Sequence, residues 1–223
     1  MEPQWWTPPR RGRSRAPLER EAIVAAAFRV LDQDGLRGLT MRRVASELDT
    51  GAASLYWHIA DREQLLQLVV DRVLGEVELP EPDPTRWAEQ IKEVAFATHE
   101  AFRRHRDVAQ ATLGRVPMGP NLVRLVEWML DVLDAAGIPD QEAAWFPDLF
   151  GLIIGAQALD DHLAETADPR EQAAMQAYVE GLPEDRYPHL RRAAESLMGG
   201  AQRNRFEFAV DLLVRGLSTY AKR

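Results

Sequence analysis

The 223 residues include no cysteine. Disulfides and cysteine-based zinc sites are therefore excluded, which fits a cytoplasmic protein without requiring one. Long apolar runs are missing as well: none approaches the roughly twenty residues of a membrane span, and residues 1–20 lack the apolar segment of a secretion signal. Catalytic signatures are equally scarce. There is no glycine-rich phosphate loop, nucleophile elbow or His-Glu-x-x-His run, and Asp160, Asp161 and His162 are adjacent, so a helix splays them in different directions. The expectation is a protein with no catalytic residue, no metal, no cofactor and no membrane partner. Positive charge is short too, and the net charge of −8 disfavours a polyanionic partner unless the charge is unevenly spread.

It is unevenly spread. Residues 1–60 carry nine Arg against seven Asp or Glu, net +2, and the remainder carries 18 Lys or Arg against 28 acids, net −10. A locally positive head on an acidic body is compatible with DNA, because phosphate contacts act over about a Debye length of 8 to 10 Å. With 46% hydrophobic and 28% charged residues the composition is ordinary globular, enough for one large domain or a small and a medium one.

The most informative stretch is LTMRRVASELDTGAASLYWHIADREQLL, Leu39 to Leu66. Thr40 is placed to cap a short helix from Met41 to Leu48, whose Met41, Val44, Ala45 and Leu48 fall on one face. Asp49, Thr50 and Gly51 are turn formers, the tight bend a helix-turn-helix needs. A second helix is expected over Ala52–His58, with Leu55 and Ile59 inward. Ala52, Ala53, Ser54, Tyr56, Trp57 and His58 then point out. Two large aromatics and an imidazole side by side leave apolar area in water, so something should cover them. A phosphate backbone and groove wall would do so, with Ser, Tyr and His as donors and small Ala residues permitting close approach. Three packed helices with the aromatics in the core is the plainer alternative. Asp61 caps a third helix with Gln64 in the capping-box position, and Leu65, Leu66, Val69, Val73 and Val77 form its apolar stripe.

From about Leu18 to Val77 the chain resembles the DNA-binding domain of the TetR family of bacterial transcriptional repressors. The run Ser54, Leu55, Tyr56, Trp57, His58 carries the resemblance most specifically and is closest to the tetracycline-repressor branch. The resemblance implies an all-α fold: a three-helix helix-turn-helix DNA-binding domain plus a helical ligand-binding and dimerisation domain. It also implies a base contact at Arg42, and backbone or groove-wall contacts at Thr40, Met41, Ser54, Tyr56, Trp57, His58 and Arg62. Ala52 and Ala53 depart from the tetracycline repressors, which carry Gln and Pro there, so a different operator is expected. Thr112 stands where that branch places a magnesium-binding His, so tetracycline and magnesium are not carried across.

The rest of the chain fills in this plan. Residues 1–17 read as a flexible basic arm in which Arg10, Arg11, Arg13 and Arg15 either follow DNA or remain a solvated tail; Trp5 and Trp6 have no evident role. Leu18–Asp34 reads as a first helix stopped by Gly35. The reading head is expected over 18–78, the proline-rich Leu79–Thr85 separates it from the body, and the body spans 85–223. Helices are expected at Trp87–His105, Asp107–Leu113, Gly119–Ala136, Asp140–Ala164 and Gln202–Tyr220, with one or two more in the charged insertion Glu165–Gly200. Asp140–Ala164 is nearly apolar all round and should be covered on every side, Pro147 marking a kink or a fresh start. With the last helix it would form a four-helix interface in a homodimer.

An effector cavity is expected along these helices. Its candidate lining is Thr98, His99, Phe102, His105 and Thr112, then Met118, Trp128, Trp145, Phe146, Phe150 and Gln157, although any single aromatic or Met at such spacing is more often plain core than pocket. The expected protein is a cytoplasmic repressor with a double-stranded DNA operator and a small, largely apolar effector as partners; a ligand-independent regulator or a helical interaction protein are the alternatives.

Overall fold

The structure is a computed structural model and describes residues 18–105, 107–112, 119–199 and 202–221. The basic arm, with Trp5 and Trp6, and Met118 lie outside the described residues. Among the described residues every regular element is an α-helix, and no helix is long and apolar enough to cross a membrane. Two compact units divide between Leu65 and Leu66. The division falls inside a helix and not at the proline-rich Leu79–Thr85, for reasons that the bonds of that segment make plain below.

The first unit holds α1 (Arg20–Gly38), α2 (Met41–Glu47), α3 (Ala52–Leu55) and the start of α4 (Arg62–Leu74). In α1, Ile23, Ala26, Ala27, Val30 and Leu31 are buried, the expected inner face. The helix is interrupted at Gly35, where φ is 67°, a conformation glycine adopts at little cost, and a short helical stretch resumes to Gly38. Thr40 caps α2 by accepting the Arg43 N–H at 3.1 Å. The Arg43 guanidinium holds α2 along α1 through Asp34 at 2.7 Å, Gln33 at 2.6 Å and Glu47 at 3.0 Å, and Arg29 reaches Glu47 at 2.9 Å. Arg29 and Arg43 together keep the Glu47 carboxyl below its ordinary range. Asp49 then takes a φ of 52°, which Asp tolerates better than most residues, and the chain reverses into α3.

In α3 the structure differs from expectation. Regular helix covers four residues, not seven, and Tyr56, Trp57 and His58 form a turn. Leu55 and Ile59 are 0% and 1% exposed, and the His58 and Ile59 N–H groups both donate to the Leu55 carbonyl at 2.9 Å, so the chain tightens into a turn there before Asp61 opens the next helix. Asp61 Oδ1 accepts the Gln64 N–H at 2.8 Å, and Gln64 Oε1 reaches back to the Ala60 N–H at 2.6 Å, one residue earlier than the standard capping box.

The second unit holds the rest of α4, then α5 (Trp87–Arg104), α6 (Val108–Thr112), α7 (Pro120–Ala135), α8 (Asp140–Thr166), α9 (Pro169–Glu180), α10 (Pro188–Gly199) and α11 (Gln202–Ser218). α8 is its axis, packing on α5, α6, α7 and α11. It runs on through Pro147, although the ring removes one N–H from the ladder. It is not covered on every side: within one chain Trp145, Leu149 and Leu152 are exposed, and Gly151 faces open space. The small residues split accordingly, Gly155 and Ala158 buried, Gly151 and Ala156 exposed. α9 and α10 pair with one another and are largely exposed.

The C-terminal part of α4 is bolted to this unit. Asp71 is 5% exposed, and its carboxylate accepts from the Asn121 N–H, the Asn121 side-chain amide and the Leu122 N–H, each at 3.0 Å. It thereby satisfies the first turn of α7, whose own preceding residue, Gly119, supplies no side-chain cap. A side chain at Gly119 would meet the Asp71 carboxyl at 2.2 Å. Arg124 donates to the Leu74 and Val77 carbonyls, and Glu76 holds Arg104 at 3.0 Å and His105 at 2.8 Å. The proline-rich segment is tied likewise: Trp128 donates to the Pro80 carbonyl, and Gln90 bonds Glu81 and Asp83. So pinned, the segment is tied to α7 and α5.

Replacing Asp71 with Ala strands three donors in a half-buried junction. Each hydrogen bond to a charged group contributes about 1.5 to 3 kcal/mol, partly regained from water, so a loss of about 3 kcal/mol is expected in denaturant unfolding of the full chain.

Candidate nucleic-acid interface and effector cavity

The head's reading surface follows from the anchoring of α3. With Leu55 and Ile59 inward, Tyr56 is 53% and Trp57 89% exposed, Ala53 and Ser54 are exposed, and Ala52 and His58 are half-buried. Ser54 accepts from the Thr50 hydroxyl at 3.3 Å, and Arg20 holds the His58 carbonyl at 3.2 Å. Arg42 is exposed on α2 and, with Ser46, Thr50, Gly51 and Ala52, borders a shallow depression of about 450 Å³. Of the expected set, Arg42 and Ala52 border this depression, and Thr40, Ala53, Ser54, Tyr56 and Trp57 are exposed.

Two members of the expected set lie elsewhere. Met41 is 7% exposed and faces the core, because the same helical spacing that puts Arg42 outside puts Met41 inside. Arg62 is turned back into the head: its guanidinium donates to the Leu39 carbonyl at 2.7 Å and the Leu36 carbonyl at 2.8 Å. Those carbonyls stand at the C-terminal end of α1, beyond the break at Gly35, where the guanidinium adds a donor. Thr40 is exposed, with its hydroxyl oxygen accepting as the α2 cap.

In the body a cavity of about 610 Å³ opens among Phe96, His99, Glu100 and Arg103 of α5, Asp161, Ala164 and Glu165 of α8, and Phe206 of α11. Of the expected lining, among the described residues, only His99 is on its wall. Thr98 is buried with its hydroxyl on the Val94 carbonyl, and Thr112 bonds the Ala109 carbonyl. Trp128 is committed to Pro80, Phe150 packs on Phe146 at 5.9 Å, and Trp145 is 61% exposed. Phe102 and His105 line a separate recess of about 30 Å³, room for little more than a water. Gln157 stands behind the cavity, donating to Asp161 at 3.1 Å.

Most of the wall was missed because attention went to aromatic residues one at a time. A pattern was there to be read: Phe96, His99, Glu100 and Arg103 stand at i, i+3, i+4, i+7, and Asp161, Ala164 and Glu165 at i, i+3, i+4, one face of each helix.

The polar end has a definite geometry. Phe206 stacks on the His99 ring at 4.2 Å and meets Phe96 edge-on at 5.0 Å. His99 Nε2 lies 2.9 Å from Asp161 Oδ2, close enough to pair when the nitrogen carries a proton, but the two do not meet full hydrogen-bond geometry as they stand. Arg103 pairs with Glu165 at 2.6 Å and approaches Asp161 at 3.6 Å. Burial, helped by Arg103, pushes the His99 pKa below its ordinary value against the pull of Asp161. Among the described residues no group of three or more His, Cys, Asp or Glu is arranged to hold a metal ion.

Comparison with known proteins decides what this pairing of surface and cavity belongs to. Residues 23–69 match the family model for bacterial regulatory proteins of the tetR family, and residues 79–221 match that of the tetracyclin repressor-like C-terminal domain. The chain belongs to the TetR family. It is a ligand-responsive, DNA-binding transcriptional repressor and not an enzyme, and it works as a dimer with a DNA operator and a small-molecule ligand. Among TetR-family relatives, the transcriptional repressor DrrR1 of Streptomyces coeruleorubidus is 29% identical over 97% of this chain and 84% of its own. The class E tetracycline repressor of Escherichia coli is 28% identical over 72% and 81%. The TetR-family protein ActR of Streptomyces coelicolor, solved in complex with actinorhodin, is 38% identical, covers 93% of this chain and 100% of its own, and superposes with a TM-score of 0.87.

For this TetR-family chain the buried imidazole sets a pH response of stability. The folded pKa of His99 lies below its unfolded value, so the unfolded chain binds more protons just below pH 6.5 and stability falls as pH falls through that range. His99→Gln should flatten this part of the stability profile in thermal unfolding between neutral and mildly acid pH; an unchanged slope would show that the imidazole is not held neutral.

Proposed function

We propose that each protomer of the dimer lays Ala52 to His58 into a major groove, Arg42 reading a base edge while Thr40, Ser54, Tyr56, Trp57 and His58 meet the backbone and groove wall. The observation that carries this is the exposure of Tyr56 and Trp57 on a turn whose neighbours Leu55 and Ile59 are wholly buried. Met41 and Arg62 belong behind the surface, shaping it without touching DNA. Since Ala52 and Ala53 offer no side-chain amide, the operator differs from those of the tetracycline repressors, and sequence choice rests more on Arg42.

The head that acts as a unit on DNA spans residues 18–78, and the body, residues 85–223, takes the effector in the cavity among α5, α8 and α11. A wall of Phe96, Phe206 and the His99 ring suits a planar aromatic molecule, and the likeness to ActR, whose solved complex holds actinorhodin, supports that reading. Dimerisation uses the exposed apolar residues of α8 and α11, Trp145, Leu149 and Leu152 with Phe208 and Leu212. The place of action is the cytoplasm, where operator and effector meet.

Mobility-shift titration with the DNA upstream of the protein's own gene tests the head. Arg42→Ala should weaken specific binding by about 1 to 3 kcal/mol and relax sequence preference, whereas Tyr56→Ala should weaken binding to all duplexes alike. Wild-type protein with no salt-dependent affinity for any duplex would end this reading.

A further inference from the structure

The cavity's walls and its charge point in different directions, and together they narrow the effector. Phe96, Phe206 and the His99 ring form an aromatic surface, and at about 610 Å³ the space falls within the 300 to 1,000 Å³ or so that drug-sized ligands fill. Around it stand three carboxylates, Glu100, Asp161 and Glu165, against one guanidinium, Arg103, with His99 kept neutral by burial. The guanidinium is already paired with Glu165. Arg103 also lies 3.7 Å from Glu100 and 3.6 Å from Asp161, so an incoming carboxylate would compete with three acids for one guanidinium, whereas an incoming cation would meet acids in excess. One buried polar atom is also left over: His99 is 7% exposed, and its Nε2 has no hydrogen-bond partner although it lies beside Asp161 Oδ2. With the proton on Nδ1, Nε2 is an acceptor, and a ligand N–H placed between it and Asp161 Oδ2 would satisfy both.

Resting on the effector reading above, we infer that this cavity takes a planar aromatic cation, a ring system bearing a protonated amine, and disfavours aromatic carboxylates. The rings lie against Phe96 and Phe206, and the ammonium donates to Asp161 Oδ2, His99 Nε2 and a Glu165 oxygen. Aromatic faces add attraction for the cation, which strengthens as water is excluded. A bare metal ion does not fit, because the described residues offer no cluster of ligands for one.

Three probes with one ring and different heads test this: anthracenylmethylamine, anthracenemethanol and anthracenecarboxylate, titrated calorimetrically into the full-length protein at neutral pH. The amine should bind at least about ten-fold more tightly than the alcohol, a difference of about 1.4 kcal/mol, and the carboxylate most weakly. Glu100 and Glu165 are both exposed enough to change without unfolding the chain. The double variant Glu100→Gln, Glu165→Gln should cut the amine's advantage several-fold and leave the alcohol's affinity unchanged, and Asp161→Asn should cut it too. Equal binding of the three probes, tighter binding of the carboxylate, or an amine preference that survives all three substitutions overturns this inference and leaves the effector site standing. Failure of all three probes to bind wild-type protein overturns both.

Discussion

A helix of one turn cannot hold itself together, because closing the first hydrogen-bonded turn orders several residues for a single bond. α3 has four residues, so its shape depends on what pins it. Leu55 at its C-terminal end and Ile59 four residues on are buried, Arg20 holds the His58 carbonyl, and the Asp61–Gln64 cap fixes where the following helix begins. Those ties leave Tyr56 and Trp57 no place inside and one direction outside. The exposed aromatic surface is therefore a consequence of the anchoring, and it is arranged before any duplex arrives, which lowers the ordering cost of binding.

The head was legible because its signals are local. Caps, a turn cluster and an apolar stripe each act within four residues of one another, and Thr40, Gly35 and Asp61 do what their positions predict. The length of α3 was not legible from the same signals, since apolar spacing continues to Ile59 while the His58 and Ile59 N–H groups share the Leu55 carbonyl in a turn. Arg62 escaped for a related reason: its partners are carbonyls of Leu36 and Leu39, more than twenty residues away. A resemblance to relatives supplied the position, and it could not say which way the side chain turned.

In the body the elements were readable and their mutual placement was not. α5, α7, α8 and α11 fall close to their expected spans, and Ile91, Val94, Phe102, Phe206, Val210 and Val214 are buried as their spacing requires. The cavity depends instead on which faces of α5, α8 and α11 meet, a tertiary fact. Trp128 and Thr98 looked like pocket residues because their types suit a pocket, yet each is used up by a carbonyl, Pro80 for one and Val94 for the other. The exposed side of α8 is a different matter: a nearly apolar helix does call for cover all round, and in a dimer that cover comes from outside the single chain.

The two units are linked covalently through α4 alone, and the bonds on that helix fall into two sets. Arg62, in its first turn, is tied to carbonyls of the head; Asp71, Leu74 and the following Val77 are tied to α7, and Glu76 to the end of α5. Nine residues of helix separate Arg62 from Asp71, about 13.5 Å at 1.5 Å per residue. Arg104 and His105, which grip Glu76, close the same α5 whose Phe96, His99, Glu100 and Arg103 wall the cavity. A ligand that binds equally well whatever the setting of α5 would change nothing at the head, however tightly it bound. If the effector takes this cavity as proposed, one that favours a particular setting of α5 against α8 is the kind that can act beyond it, and the polar end, built from α5 and α8 together, is where such a preference would arise.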